Sequence, residues 1–231
     1  GCDDIAVGEA NRRRDGDSNS ADGGIWVIFG WSGAEGLCPR ATPEHLIIAP
    51  SKDDLRLGTS LARVDGGPNS KGWLAAGAIL ARRDTDNQRT GAVYLIDLDW
   101  VLQQPRRTLG SVTIPLVLAQ PGMNTEVLWG QNGEERFGQM LRAVGSTLVV
   151  AHQYRQYGEA RRIGGATIYR SHRFGAIKIG SLVGETFGFE GLFGGRMAMG
   201  GQPLTLVVSA VQGQASGAQA GSAYVFRLTD L

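Results

Sequence analysis

The chain has 231 residues, of which 42% are hydrophobic and 19% charged, with a formal net charge of +1. That length holds one large all-β domain or two small ones. The balanced charge makes no case for nucleic acid or an anionic membrane surface, and no apolar run approaches the ~18 residues of a membrane helix. Glycine is the outlier at 35 residues. The glycines are scattered without a G-X-Y period, so they punctuate many short elements, as an all-β fold of many turns requires. No secretory leader is visible.

In chain order, short apolar runs bounded by Gly or polar residues predict strands at DDIAVGEA (3–10), GGIWVIFG (23–30), HLIIAP (45–50), LGTSLARV (57–64), GWLAAGAI (72–79) and TGAVYLID (90–97). They continue at SVTIPLVLA (111–119), FGQMLRAV (137–144), TLVVAHQY (147–154), GGATIYRS (164–171), GAIKIGSLVG (175–184), FGGRMAMG (193–200), TLVVSAVQ (205–212) and GSAYVFRL (221–228). These runs repeat as a unit. Strand A reads F/L-G-x-x-[LM], strand B is LVVA-like, strand C opens on Gly and alternates aromatic and aliphatic residues, and strand D follows in three units. The strand C glycines recur every 55 to 75 residues or so, the length of a propeller blade with generous loops. The units are approximately 1–54, 55–135, 136–190 and 191–231, all within a single β-propeller over 1–231. The first lacks strand A and the fourth lacks strand D. No 3.6-residue apolar stripe recurs, which excludes helical repeats. Trp26, Trp73, Trp100 and the strand aromatics Tyr94, Tyr169, Tyr224 and Phe226 read as core between units.

Candidate sites are sparse. Asp15, Asp17 and Asn19 have the one-three-five spacing of a calcium loop. The sixth position, however, is Ser20 rather than Gly, and Asp22 comes one residue early, so a polar hairpin loop accounts for the stretch as well. His152, Tyr154, Arg155 and Tyr157 follow strand B of the third unit. They are either an aromatic, cationic patch for a protein partner or an exposed loop of amphipathic side chains. Asp84, Asp86 and Asn87, and the triplet Arg12, Arg13 and Arg14 beside Asp15, read as solvated loop surface. Cys2 and Cys38 are a disulfide candidate or two separate thiols. No G-x-S-x-G, H-E-x-x-H, C-x-x-C or P-loop motif occurs, so no enzyme class is indicated. The absence of N-x-S/T acceptor sites fits a bacterial source.

The ordered copies resemble the FG-GAP repeat family, the blades of integrin α-subunit β-propellers and of many bacterial secreted proteins. Phe137-Gly138 and Phe193-Gly194 match the family's FG, and Leu57-Gly58 is a softened form. Val7-Gly8-Glu9-Ala10 and Ala76-Gly77-Ala78 match the GAP element, which is lost in units three and four. The resemblance implies blades of a seven-bladed ring in a secreted, periplasmic or cell-surface protein. It implies a non-catalytic module that binds protein partners, or subunits of an extracellular assembly, through its B–C loops. The alternative is the propeller domain of an extracellular hydrolase or lyase. A calcium loop often joins strands A and B in this family, with structural Ca²⁺. The stretch Gly1 to Gly8 aligns with the end of such a loop, with Asp4 as its last carboxylate. Residues 63–73 then read as a decayed loop keeping Asp65 and Asn69. On this basis the chain is expected to be the C-terminal part of a longer propeller, or to be completed by another chain or a second copy.

Overall fold

A computed structural model describes residues 4–13, 21–30, 45–50, 55–83, 85–105, 113–116, 125–131, 135–155, 163–183, 192–211 and 221–228. The described chain is all-β, in four sheets that follow one another in sequence. The first contains β1 (Ile5–Gly8), β2 (Ile25–Ile28) and β3 (His45–Pro50) as an antiparallel meander. The second contains β4 (Leu57–Val64), β5 (Trp73–Ala78), β6 (Ala92–Asp97) and, after a short helix and one further strand, β8 (Thr125–Trp129). The third contains β9 (Met140–Val144), β10 (Thr147–His152), β11 (Gly165–His172) and β12 (Gly175–Val183). The fourth contains β13 (Phe193–Gly200), β14 (Thr205–Ala210) and β15 (Ser222–Arg227).

One expected strand is placed differently. The run at 111–119 was expected as strand D of the second unit. Its strand β7 (Thr113–Leu116) instead pairs in parallel with β3 at the edge of the first sheet, with Ile47 opposite Thr113 and Pro50 opposite Leu116. The helix α1 (Leu98–Gln103) explains the excursion. It follows β6 directly, and the Asp97 side chain caps it by accepting the Asp99 backbone N–H at 2.8 Å. The chain therefore leaves the sheet after β6 rather than turning back in a hairpin. The fourth strand of the second sheet is β8, whose sequence TEVLW is less apolar than 111–119. An edge position also suits Pro115, which has no N–H to offer a further strand.

Three apolar cores lie between the four sheets. Ile25, Val27, Ile48, Leu57, Leu74 and Tyr94 join the first to the second. Val93, Leu95, Phe137, Leu141, Leu148 and Val150 join the second to the third. Val149, Ile168, Phe193, Met197, Leu206 and Val208 join the third to the fourth. The alternation of strands places one set of residues on each face. In β10, Val149 and Ala151 face forward while Leu148 and Val150 face back. Each such aliphatic side chain gains roughly 1.5–3 kcal/mol from full burial.

The junctions repeat one contact. Gly23 bridges Leu57, Gly91 bridges Phe137 and Gly164 bridges Phe193, all in parallel. Each bridge ties the start of strand C to strand A of the following sheet. At the second junction Gly138 follows Phe137 with φ +87°, and a Cβ there would lie 2.6 Å from the Ala92 carbonyl oxygen. A Cβ on Gly77 would lie 2.0 Å from the Gly138 carbonyl oxygen. Backbone meets backbone here, so the F/L-G motif is explained by close approach of two sheets. Side chains reinforce the seam. Ser60 Oγ donates to Gly138 O at 2.7 Å, and Arg142 Nε donates to Met197 O at 2.9 Å.

Candidate partner-binding loop face

The strand geometry sends every B–C connection to the same end of its sheet as the segment leading into strand A. In the second sheet the Leu80 N–H donates to Leu55 O at 3.2 Å, and in the third the Tyr154 N–H donates to Glu135 O at 3.3 Å. In both cases the acceptor stands two residues before the apolar residue of the F/L-G pair. Neighbouring units are also tied at this end. Arg56 N–H donates to Ala21 O, Leu57 N–H to Asp22 O, and Phe137 N–H to Thr90 O, at 3.0–3.1 Å. The loop face is therefore held by main-chain bonds and not by side chains alone.

Those side chains are rich in arginine. Arg12 and Arg13 lie on the B–C connection of the first sheet, Arg82, Arg83 and Arg89 on that of the second, and Arg155 on that of the third. Arg56 and Arg136 lie on the lead-in segments. Arg83 pairs with Asp86 through its fork, and this hydrogen bond lowers the Asp86 carboxyl below its ordinary range. Arg82 Nη1 donates to Asn87 O at 3.2 Å. The exposed Arg136 lays its guanidinium 4.3 Å from the centre of the Tyr154 ring, a cation–π contact that orders both groups. Arg155 Nη2 donates to Gln131 Oε1 at 2.9 Å, and its Nε lies 4.0 Å from Oε1 of the buried Glu135.

The patch expected at 152–157 is split. His152 is not part of the loop surface: it ends β10 and is 1% exposed. Its ring stacks on Phe137 at 6.0 Å, and Nε2 lies 3.2 Å from Thr167 Oγ1. A Cβ on Gly165 would lie 2.4 Å from His152 Cε1, so a glycine opposite makes room for the ring. Burial, with Arg155 and Lys178 adding to it, holds the imidazole down to about 3, so it is neutral throughout the physiological range. His152 is thus a core side chain that supports the junction. Tyr154 is half-buried at the surface, the Arg155 side chain is only 11% exposed, and Tyr157 lies outside the described residues. Sequence reasoning missed Glu135, Arg136 and Gln131, which sit between β8 and β9. The charged pair just ahead of Phe137-Gly138 was the signal that could have found them.

The expected metal ligands divide similarly. Asp15, Asp17 and Asn19 lie outside the described residues, as do Cys2 and Cys38. Asp4 is exposed, and its Oδ1 accepts the Gly30 backbone N–H at 2.7 Å. Among the described residues no group of three or more His, Cys, Asp or Glu is placed to hold a metal ion. Calcium takes six to eight oxygens, so Asp4 alone does not fit it. The loop at 63–73 has a packing role. The Asp65 N–H donates to Gly145 O at 2.9 Å, and Asp65 O accepts from Ser171 Oγ, so this loop closes the second sheet against the third.

A cleft of about 660 Å³ lies between the first two sheets, lined by Ala6, Val27, Leu61, Leu74, Val101 and Leu102 among others, with Asp4, Arg63 and Lys71 also contributing. Among the described residues no helix is long and apolar enough to cross a membrane. No protein-family model matches the chain, and no curated protein matches it either.

Proposed function

We propose that the chain is a non-catalytic interaction module built of FG-GAP-like propeller blades, which presents its arginine-bearing B–C loop face to an acidic protein partner. The observation that carries this reading is the placement of the exposed Arg82 and Arg136, beside the internally paired Arg83 and Arg155 and the half-buried Arg56, at one end of consecutive sheets, on loops tied down by main-chain bonds. Arginine on a pre-ordered loop pairs with carboxylates through two parallel hydrogen bonds and loses little freedom in doing so. The net charge of only +1 for the whole chain makes this concentration a local feature and not a general basicity. Repetition of one junction three times supports the blade reading. The resemblance in the F/L-G strands supports an extracellular or cell-surface setting. The burial of His152 takes that histidine off the loop surface.

The test is retention by an immobilised polyglutamate peptide, measured by interferometry at low and at physiological salt. Saturable binding is expected, weakening as salt rises. A protein carrying Arg82→Glu and Arg136→Glu is expected to lose severalfold and up to about thirtyfold in affinity, since each exposed pair with a carboxylate is worth up to ~1 kcal/mol. Equal binding by that protein and the wild type would remove the loop face as the binding surface.

A further inference from the structure

The forward face of each of the first three sheets is buried by the next sheet, and among the described residues nothing covers the same face of the fourth sheet. Counted from the glycine that opens strand C, Val27, Leu95 and Ile168 occupy the same position, at 5%, 0% and 3% exposure. The fourth sheet places Val225 there, at 68%. Val207, its partner across the pair in β14, is 37% exposed, whereas the matching Val149 is 0% exposed. The opening glycines themselves agree. Gly23, Gly91 and Gly164 have φ of +81°, +76° and +76°, and each bridges the strand A of the next sheet. Gly221 has φ +74°, the same backbone conformation, with no bridging partner among the described residues.

The three filled junctions specify what fits. In each the covering strand begins with a residue in the left-handed region, Arg56, Arg136 or Leu192 at φ +52°, +53° and +48°. A large apolar residue follows, then a glycine at φ near +90°, then Leu61, Leu141 or Met197 three residues after the glycine. We propose that the Gly221–Val225 face is a docking site for a partner strand supplied from outside residues 1–231 and reading (Phe/Leu)-Gly-x-x-(Leu/Met), which would stack on β15 as β4, β9 and β13 stack on their own neighbours. A second copy of this chain is the poorer occupant, because its three strands of this kind are each seated inside its own junctions. The proposal is independent of the loop face and fails separately from it.

The experiment is hydrogen–deuterium exchange on the full chain with a synthetic hairpin of residues 135–153, which contains Phe137-Gly138 and strand B. The hairpin is added in trans up to about 1 mM, and in a second arm is fused to the chain through a flexible linker to raise its effective concentration. Amides of β15 are expected to exchange at least tenfold more slowly in the fusion, and to a lesser degree in trans. Gly138→Val in the hairpin and Gly221→Val in the protein are each expected to abolish this, with the exchange of the first three sheets unchanged. Absence of protection in both arms overturns the proposal. So does protection that survives both glycine changes, which would mean pairing along the β15 edge. Protection of β15 in the protein alone that grows with its concentration also overturns it, by making a second copy the occupant.

Discussion

A Gly138→Ala protein is expected to unfold at a much lower denaturant midpoint than the wild type, by the equivalent of about 2–5 kcal/mol. Two costs add. A residue with a Cβ pays about 1–2 kcal/mol to hold a left-handed backbone. The added methyl would also lie 2.6 Å from the Ala92 carbonyl oxygen and 3.0 Å from Val93 Cγ2, both fixed parts of the second sheet. Relieving that overlap means moving two sheets apart, and overpacking of this kind typically costs a further 1–3 kcal/mol or so. Gly67→Ala separates the two terms. Gly67 has φ +89° with nothing within 4 Å of a built Cβ, so only the backbone cost of about 1–2 kcal/mol applies there. Equilibrium urea unfolding of the two proteins gives the comparison. Equal losses at both positions would mean that the junction yields freely and that the F/L-G motif serves the turn alone.

The second large effect is in acid. The folded protein holds His152 neutral down to about 3, while the unfolded chain takes up a proton near the ordinary value of 6.5. Below pH 6.5 the unfolded state therefore binds the extra proton and the native state does not, so stability falls as pH falls. The stabilising contribution is fully present above about pH 6.5. It is lost progressively down to pH 3, by about 4–5 kcal/mol at 1.36 kcal/mol per unit. Glu126 works in the opposite sense: burial raises its carboxyl, so the native state takes up that proton first and gains stability as the pH falls through its range. Other carboxylates titrate in the same window, so the informative quantity is a difference. A His152→Leu protein is expected to show a shallower loss of stability between pH 6.5 and 4 than the wild type, measured by urea midpoints at each pH. Parallel curves would show that His152 is protonated in the folded state.

Much of the strand pattern was legible because each strand is short, glycine-bounded and repeated. Strands B and C were read within a residue or two in all four units, since each strand C opens on a glycine at positive φ, tied in three of the units by the bridge to the next sheet. The fourth strand of the second unit was not legible. The apolar run at 111–119 carries the stronger strand signal, and nothing local says that Asp97 will cap a helix and carry that run to a different sheet. His152 was misplaced for a related reason. A histidine at the end of an apolar strand beside Tyr154 and Arg155 looks like the start of a loop. Its burial depends on Phe137 and Gly165, which come together only when the third sheet forms. Glu135 and Arg136 went unnoticed because their place on the loop face is set by packing between a lead-in segment and a distant B–C turn.

The parallel pairing of β7 with β3 makes the first two units interdependent during synthesis. The first sheet cannot acquire its outer strand until α1 and the excursion beyond β6 have left the ribosome. A growing chain then carries the β3 edge unpaired through the whole of the second unit's early folding, a period of exposure to wrong partners. Excision of the second unit, or its exchange for another, would also strip a strand from its predecessor. The units are alike in plan, yet these two cannot be treated as interchangeable modules: the first is completed by a strap from the second.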